Sequence, residues 1–417
     1  MPSAVAVRSA HGVSPAPAGR ARPLRILMVS PQPFFQPRGT PLSVYFRLRA
    51  LSALGHAVDL ATYPIGRDVA IPGVRIVRSA RVPFVNRVGI GPSFKKAILD
   101  VSLRRTVAEL ARSGRYDAIH SHEEAAFFGW RIARDAGLRH VYDMHSLLSE
   151  QLGHFPVYRL APFRGMMRRM ERRAVENSDV LITISAGLRD LARKLFPRSE
   201  PVLIENMVDE ADFGPVQRER LFANEDRGAL RERLGLPRDG LVALYAGSLA
   251  PYQGMDLLLS AARAVREKRP DVSFVVIGGE PRQTERLRRE ARDGGLSSSF
   301  LVPGLVEPER VPEYLEAADI LLSPRAVGSN VPSKIYSYLK SGRPVVATGG
   351  SPHDQILSER FAVLTAPDAA SYSEGILRLA SDAALRARLG RAAADEARER
   401  YNLRRFLDAT ADALRPL

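Results

Sequence analysis

The sequence predicts an α/β protein of two tandem domains, each a parallel sheet with helices on both faces. Short apolar runs alternate regularly with segments whose apolar residues recur at helical spacing. A polar, charged break over residues 210–239 interrupts this alternation, which then starts again. The length of 417 residues is enough for two or three domains with large cores. Two such domains that face each other enclose a deep cleft, a common place for a ligand.

Six short apolar runs predict the buried strands of the first half. The first of them ends in a loop rich in proline and glycine, and Val44–Leu54 then shows helical periodicity. Gly39 lies just before this helix, where a glycine lets a ligand approach the backbone, although a tight turn explains it equally well. The predicted strands are Leu24–Ser30, Ala57–Thr62, Tyr116–Ser121, His140–Asp143, Val180–Ser185 and Pro201–Glu205. Further helices are predicted over Ala125–Ala136 and from the end of the Val180 strand through Leu195.

The second half repeats the pattern after the charged break. A helix is predicted over Asp256–Lys268, and the carboxyl ends of its parallel strands form the expected ligand-binding edge. The predicted strands are Leu241–Gly247, Ser273–Gly278, Phe300–Val302, Ile320–Leu322 and Val345–Ala347.

The stretch Ser323–Ala347 is the most informative part of this half. It begins as a loop, and Ser333 is a good N-cap for a helix over Lys334–Ser341, which Gly342 ends. A loop that leads into a helix N-terminus collects free backbone N–H groups and the positive end of the helix dipole, so it can bind phosphate. Lys334 adds a positive charge there. A capped surface helix with a solvated lysine is the alternative.

Composition excludes several classes of function. The sequence contains no run of 18 apolar residues, so no membrane span is expected. The absence of cysteine excludes disulfides, thiolate chemistry and cysteine metal sites. Residues 1–23 are expected to be a disordered lead without a signal peptide. The net charge is +15, and only six of the 61 basic residues are lysine. This charge favours phosphorylated ligands or an anionic membrane surface, whereas no motif indicates nucleic acid.

The segment Ala161–Glu176 is predicted to be a basic amphipathic helix. Its methionines fall on one stripe and its arginines on another. Such a helix can lie on an anionic membrane. Packing of the methionine stripe on the sheet is the competing interpretation, and from the sequence it is the favoured one.

Several short segments, in this order and spacing, resemble the GT-B glycosyltransferases, specifically the large retaining family four. The resemblance covers roughly residues 24–410. Its landmarks are Arg38–Thr40 with the helix that ends at His56, Asp117–His122, Ser178–Ser185, Glu205–Asp209 with Phe213 and Pro215, Tyr245–Leu249 with Gly254, and Gly342–Ala347. The resemblance implies two facing Rossmann-like domains with a deep cleft between them.

The resemblance also implies an activity of the EC 2.4 type. Such enzymes move a sugar from a nucleotide diphosphate sugar to an acceptor hydroxyl with retention of configuration, and many need no metal. No cofactor or metal is expected here, since the sequence has no Asp-x-Asp pair and no metal-ligand spacing. The expected organisation is an acceptor-side domain over residues 24–205, a linker over 206–216, a donor domain over 217–395, and a C-terminal helix over 396–417 that packs back toward the first domain.

On the donor side, the sequence departs from the family pattern. Ser329 and Ser337 occupy the positions of two usual glutamates, and Ser248 and Gln253 occupy those of the usual arginine and lysine on the diphosphate. Lys334 and the helix terminus at Ser333 are therefore expected to carry more of the diphosphate charge. The donor-binding residues that the resemblance implies are Gly39, Gly247, Ser248, Gln253, Ser329, Asn330, Ser333, Lys334 and Ser337.

On the acceptor side, the resemblance favours His122 as the catalytic-side histidine. It ends a strand opposite the donor domain and can donate to the phosphate or hold a sugar hydroxyl. His120 lies on the same strand face and is expected to be packed. Asp143 and His145 end another strand, where they contact the acceptor or only form hydrogen bonds within the loop.

Three functions follow as alternatives. The first is a transferase that builds a cell-surface polysaccharide or glycolipid, with a glycan or lipid-linked acceptor. The second is a catalytically weakened nucleotide-sugar-binding protein, and the third is a GT-B epimerase or phosphorylase. A cytoplasmic location is expected, with peripheral binding to the inner face of the plasma membrane as a variant. The sequence does not identify the base, the sugar, the acceptor, the linkage or the oligomeric state.

Overall fold

The computed structural model describes residues 22–35, 39–86, 88, 93–151, 161–207, 226–327, 331–350 and 352–417. Within these ranges the chain forms two parallel sheets, and helices connect their strands. Ser329 and Asn330 lie outside the described residues, as do residues 1–21 of the expected lead and residues 208–216 of the expected linker.

The first sheet has seven strands in the order β3-β2-β1-β4-β5-β6-β7, and every neighbouring pair is parallel. Its inner strands are almost completely buried because both faces of the sheet are covered. The strands are β1 (Arg25–Ser30), β2 (Ala57–Thr62), β3 (Val74–Arg78), β4 (Ala118–His122), β5 (Arg139–Met144), β6 (Val180–Thr183) and β7 (Val202–Leu203).

The second sheet has six parallel strands in the order β10-β9-β8-β11-β12-β13. Two clusters of buried apolar residues cover its faces, so it has a core of its own. The strands are β8 (Leu241–Ala246), β9 (Val272–Ile277), β10 (Phe300–Gly304), β11 (Ile320–Ser323), β12 (Val345–Thr348) and β13 (Ala362–Thr365).

Fourteen α-helices occur in the described residues. Six belong to the first half of the chain: α1 (Gly39–Ala53), α2 (Phe94–Ala111), α3 (Ala126–Asp135), α4 (Leu148–Gln151), α5 (Ala161–Glu176) and α6 (Ala186–Leu195). The others are α7 (Arg227–Arg233), α8 (Met255–Lys268), α9 (Pro281–Asp293), α10 (Val311–Ala317), α11 (Lys334–Ser341), α12 (Ala369–Ser381), α13 (Ala383–Arg400) and α14 (Leu403–Leu414). None of these helices is long and apolar enough to cross a membrane.

The differences from the predicted elements lie at sheet edges. The sequence pattern does not predict β3 or β13, each of which is the last strand of its sheet. β3 reads VRIVR and is only partly buried, so it lacks the apolar run of an inner strand. β7 covers only Val202–Leu203 and not the predicted Pro201–Glu205, since it pairs with β6 alone.

The α11 helix spans the residues predicted for it, Lys334–Ser341. Gly342 follows with a φ of 69°, a left-handed conformation that favours glycine. The expectation that Ser333 caps this helix is wrong, because its φ and ψ of −55° and −29° are already helical and its side chain makes no capping hydrogen bond. The carbonyl of Pro332 starts the turn and accepts from the backbone N–H of Ile335 at 2.9 Å.

The last helix, α14, returns to the first sheet. Phe406 and Leu414 join the apolar cluster that includes Val44 and Leu48 of α1. Thr410 accepts a hydrogen bond from Nη1 of Arg47 at 2.9 Å. The end of the chain therefore packs on the first half, after α13 has packed against the second.

A hydrogen bond joins the carboxyl edges of the two sheets. The backbone N–H of Gly187, in the first turn of α6 after β6, donates to Oε1 of Gln355 at 3.1 Å. Gln355 belongs to a short 3-10 turn, Pro352–Gln355, that follows β12. The residues that end the strands of one sheet therefore face those of the other.

Candidate active site

The first part of the candidate site lies where β4 and β5 end. His120 and His122 lie on the same face of β4, with their rings stacked at a centroid distance of 5.0 Å. His122 lies beside Asp143 of β5 in the strand register, and His145 follows one residue after β5 ends. The polypeptide therefore brings three imidazoles and one carboxylate together at the carboxyl edge of the first sheet.

Asp143 is the anion at the centre of this cluster. Its Oδ2 atom accepts from Nε of Arg47 at 3.1 Å and lies 3.2 Å from Nε2 of His120. The same oxygen is 3.7 Å from Nδ1 of His122, and Oδ1 is 3.4 Å from Nε2 of His145. All five side chains are buried. Burial alone would raise the pKa of the Asp143 carboxyl, but Arg47 and the neighbouring histidines hold it well below its usual value.

Burial favours the neutral form of two histidines of the cluster, His120 and His122. Burial lowers the pKa of His122 well below its usual value, although the charge of Asp143 opposes this shift. Burial likewise lowers the pKa of His120. Arg47 and Asp143 therefore form the ion pair, and the imidazoles act as hydrogen-bonding groups around it.

His122 uses one ring nitrogen within the cluster. Its Nδ1 lies 3.0 Å from Nε2 of His145, whereas its Nε2 is buried and has no hydrogen-bond partner among the described residues. A neutral imidazole with one nitrogen held by a neighbour has a fixed ring orientation and one nitrogen left to donate or accept. His122 can therefore meet a substrate group through Nε2 if the residues that cover it move.

The same cluster is the one group of described residues with the composition of a metal site. Ligand atoms of His120, His122 and Asp143 lie within 4.8 Å of one another. However, the Arg47 guanidinium binds the carboxylate oxygen that a cation would need. This pairing favours a hydrogen-bonded network over a metal centre.

Glu123 and Thr40 also belong to this edge, and the sequence interpretation gives neither of them a role in the site. Oγ1 of Thr40 donates to Oε1 of Glu123 at 3.2 Å, and Oγ of Ser146 donates to Oε2 at 3.3 Å. Glu123 has a φ of 51°, which is rare for a residue other than glycine and often marks a functional turn. Gly39, predicted for donor binding, begins α1 next to Thr40 with a φ of 43°.

The second part of the candidate site lies where β8 ends. The hydroxyl of Tyr245 donates to the backbone oxygen of Ser248 at 2.7 Å, and Nε2 of Gln253 donates to Oγ of Ser248 at 3.4 Å. Nζ of Lys334 reaches this group from α11: it lies 3.6 Å from the centroid of the Tyr245 ring and 3.5 Å from Oε1 of Gln253. A Cβ atom on Gly247 would be 3.6 Å from the same Nζ.

Four of the predicted donor-binding residues therefore come together: Gly247, Ser248, Gln253 and Lys334. Ser333 and Ser337 lie about one helical turn apart at the start of α11, and both are half-buried. Burial lowers the pKa of Lys334 well below its usual value, and the positive charge of Arg325 lowers it further.

Two residues next to this group are absent from the sequence interpretation. Arg325, in the loop after β11, has its guanidinium 5.1 Å from the Tyr252 ring centroid. His353 is buried, with Nε2 2.8 Å from Oγ of Ser323 and Nδ1 3.0 Å from the backbone oxygen of Thr348. His353 thereby links the ends of β11 and β12. The only sequence signal for Arg325 is its place in a loop that follows a buried strand.

Two family models match the chain. Residues 38–212 match the model described as "Glycosyltransferase Family 4", and residues 226–396 match "Glycosyl transferases group 1". Together they cover most of both sheets.

Curated relatives match at 25–29% identity. The D-inositol 3-phosphate glycosyltransferase of Streptomyces avermitilis is 26% identical over 72% of this chain and 65% of its own length, slightly less than two thirds. The protein of the same name from Acidothermus cellulolyticus is 29% identical over 83% of this chain and 78% of its own. The phosphatidyl-myo-inositol mannosyltransferase of Mycobacterium tuberculosis is 25% identical over 91% and 93%.

Solved structures share the fold. A sucrose-phosphate synthase from Thermosynechococcus elongatus superposes with a TM-score of 0.74 at 20% identity, over 92% of this chain and 96% of that one. WaaG, a glycosyltransferase of lipopolysaccharide biosynthesis, gives 0.72 at 16% identity, over 93% and 98%. HepE of Anabaena, in complex with UDP-glucose, gives 0.70 at 17% identity, over 94% and 100%.

Proposed function

The chain belongs to the group 1 glycosyltransferases of the GT-B fold, of the family 4 type, and we propose that it transfers a sugar from a nucleotide diphosphate sugar to an acceptor hydroxyl with retention of configuration. The observation that carries this proposal is the meeting of two polar groups at facing sheet edges. Ser248, Gln253 and Lys334 converge on the second edge, and His122 and Asp143 converge on the first.

The donor is a nucleotide diphosphate sugar that binds at the second edge. A departing diphosphate develops negative charge, which cations and free backbone N–H groups stabilise. Lys334 supplies a cation beside Gly247, and the turn from Pro332 into α11 supplies N–H groups. The complex of HepE with UDP-glucose supports a donor of this class.

The reaction takes place on one face of the sugar. The acceptor oxygen forms a bond to the anomeric carbon while the bond from that carbon to the phosphate oxygen breaks, and the departing phosphate oxygen takes the acceptor proton. His122 orients and stabilises through Nε2, because its other nitrogen is held by His145. Asp143 is buried between Arg47 and the histidines, so its role is to hold the imidazoles in place. His145 or Glu123 then contacts the acceptor.

The product is a cell-surface polysaccharide or a glycolipid, made at the inner face of the plasma membrane by a cytoplasmic enzyme. The name of the M. tuberculosis relative includes a phosphatidylinositol acceptor, which supports a lipid-linked one here. The exposed arginines of α5, residues 164, 168, 169, 172 and 173, supply a surface that suits anionic lipid.

A catalytically weakened nucleotide-sugar-binding protein is the second candidate. Ser248 and Gln253 carry no charge, so fewer cations surround the diphosphate than in a site with an arginine and a lysine there. A labelled donor decides between the two: a binding protein binds it without transfer or hydrolysis.

A donor screen followed by product analysis tests the proposal. UDP-, GDP-, ADP- and TDP-sugars are compared by thermal shift, because a ligand that binds the native state raises its stability with the logarithm of saturation. The preferred donor is then incubated with lipid extracts and glycans, and the anomeric configuration of the product is determined by NMR. An inverted product would refute retention, and a free epimerised nucleotide sugar would indicate an epimerase.

A further inference from the structure

Two neighbouring cations at the second sheet edge have no acidic partner in the described part of the chain. Neither Arg325 nor Lys334 forms an ion pair with any carboxylate in the described residues. Two other arginines of this half are paired: the buried Arg231 lies 2.6 Å from Asp319, and the half-buried Arg343 lies 2.6 Å from Glu316. Among the described residues, the half-buried Arg266 and Arg386 also lack a carboxylate partner, so what distinguishes the pair at the sheet edge is that its two cations are neighbours.

The contacts of the two side chains leave their charges uncompensated. Nε of Arg325 donates to the backbone oxygen of Val327 at 2.8 Å, and its guanidinium lies over the ring of Tyr252. Lys334 contacts the ring of Tyr245 and one amide oxygen of Gln253. Rings and amide oxygens orient a cation, but they do not neutralise it.

The two charges lie beside the same turn, because Arg325 lies over the ring of Tyr252 and Lys334 contacts the next residue, Gln253. Burial lowers the pKa of both side chains, and Arg325 lowers the pKa of Lys334 further. Both charges lower the pKa of His353, whose lowered pKa of about 4 comes mainly from burial. Half-buried like charges without a counter-ion destabilise a fold, so their presence together indicates that an anion compensates them.

We propose that Arg325 is a second donor-binding cation and that Arg325 and Lys334 together bind the diphosphate of the donor. This inference rests on the proposed function and adds to it a binding residue from a different element, the loop after β11. Two cations on different elements contact different oxygens, so the pair favours a diphosphate over a single phosphate group.

Calorimetry on purified full-length variants tests this proposal. The variants are Arg325→Gln, Lys334→Met and Arg325→Lys, with Arg286→Gln as control, because Arg286 is an exposed arginine of α9 paired with Glu290. Affinities are measured for UDP, GDP, ADP and TDP, for the matching monophosphates, and for inorganic pyrophosphate. Circular dichroism melting identifies any variant that fails to fold.

The expected result is a loss of diphosphate affinity on the order of tenfold for Arg325→Gln and for Lys334→Met. The monophosphate should be affected much less, so the preference for the diphosphate should shrink. Arg325→Lys should keep part of the affinity, since it keeps the charge, and Arg286→Gln should bind as the wild type does.

Two outcomes would overturn the inference. One is wild-type diphosphate affinity in Arg325→Gln, and the other is an equal loss for monophosphate and diphosphate. If the wild type binds no nucleotide diphosphate, the proposed function is wrong, and pyrophosphate then decides the inference alone. Pyrophosphate binding that both neutral variants lose supports the cation pair; absent or unchanged binding refutes it.

Discussion

At the scale of single residues, the carboxylate of Asp143 organises the first half of the candidate site. Its Oδ2 atom accepts a hydrogen bond from Arg47 of α1 and contacts His120 of β4, and the carboxylate lies next to His122 and His145. A buried carboxylate needs one full counter-charge, and Arg47 provides it. His120 and His122 can then stay neutral, which leaves one ring nitrogen of His122 for a substrate.

Arg47→Met should therefore destabilise the protein strongly. The change leaves Asp143 buried without its cation, which typically costs about 3 kcal/mol or more in free energy of unfolding. Urea unfolding measures the effect. Thr410→Val is the matched control, since it removes the hydrogen bonds of the Thr410 hydroxyl to Arg47 and to the backbone oxygen of Phe406, keeps the ion pair, and should cost about 1 kcal/mol. Equal losses in the two variants would show that Asp143 does not depend on Arg47.

His122→Ala should lower turnover while donor affinity stays near the wild-type value. If Nε2 of His122 stabilises the departing phosphate, its loss removes a contact that matters most in the transition state, and kcat should fall roughly a hundredfold. Steady-state kinetics with the preferred donor measures kcat and KM separately. His56→Asn is the control for loss of a buried histidine outside the cluster. Unchanged turnover in His122→Ala would contradict the assignment.

Two buried histidines outside the cluster, His140 and His353, should each lower the stability of the protein in mild acid. Burial lowers the pKa of His353 from 6.5 to about 4 and that of His140 to about 3. In the unfolded chain these two histidines become protonated near pH 6.5, whereas in the native chain they become protonated only at lower pH. This contribution to stability is therefore complete above about pH 6.5, and each histidine loses about 1.4 kcal/mol per pH unit below it.

Urea unfolding between about pH 4 and 6.5 measures this dependence. Asp143 adds to the slope only near pH 4, where its carboxyl begins to take up protons in the unfolded chain. Asp100, whose pKa burial raises to about 7, contributes with the opposite sign, so the wild type and His353→Gln are compared with each other. His353→Gln should reduce the slope by about one proton. An unchanged slope in that variant would mean that His353 is already protonated in the native state.

Sequence patterns identify only part of the site at this scale. His122, Asp143 and His145 are found because each ends or follows a strand, and Lys334 because it starts a helix after a loop. Arg47 and Thr410 are 363 positions apart, so no local pattern relates them. The predicted cap at Ser333 is wrong because the backbone of Pro332 starts the helical turn instead.

At the scale of elements, α5 combines features of both interpretations made from its sequence. Ala174 and Val175 are buried, and Glu171 binds the backbone N–H of Leu148 and the hydroxyl of Ser149. Met166, however, is 47% exposed, and the five arginines are exposed. The C-terminal half of the helix is therefore anchored on the domain, while an apolar and basic surface remains open toward its N-terminal half.

This surface should bind anionic lipid. Vesicles of equal parts phosphatidylglycerol and phosphatidylcholine are expected to co-sediment the wild type at low salt. Reversing two charges in Arg168→Glu/Arg172→Glu should weaken binding roughly tenfold or more, since each basic residue near such a surface contributes about 1 kcal/mol. The control Arg282→Glu/Arg289→Glu makes the same charge change on the exposed face of α9. Equal binding by both double variants would assign the attraction to net charge alone.

At the scale of the whole molecule, the alternation of strands and helices predicts the two parallel sheets because it reflects how each strand is covered on both faces. The edge strand β3 escapes prediction because an edge strand needs no apolar run, whereas β13 is missed although its sequence, AVLT, is largely apolar. The contact between Gly187 and Gln355 also escapes prediction, because the two residues lie in different domains, one in the first turn of α6 and the other in the 3-10 turn after β12. The sequence therefore identifies the sheets better than the contacts that hold them face to face.

The final helix, α14, makes another long-range contact between the two halves of the chain. α14 follows the helix that packs on the second sheet, yet its own apolar side covers α1 of the first. Phe406 is the central residue, because it packs in that cluster and lies under the guanidinium of Arg47 at 4.8 Å. Arg400, just before α14, also lies 3.6 Å from Glu205 of the first half. The first domain is thus completed by the end of the chain.

Phe406→Ala should consequently loosen the first domain selectively. The substitution leaves a cavity that typically costs about 3 kcal/mol and removes the ring beneath Arg47. Hydrogen exchange followed by mass spectrometry is the measurement: amides of α1 and β1 should exchange faster, whereas those of β8 and β9 should keep their protection. Arg404→Ala, at an 88% exposed side chain of the same helix, is the control and should change neither. Faster exchange in both sheets would mean that the two domains unfold as one unit, and unchanged exchange in α1 would mean that α14 does not stabilise the first domain.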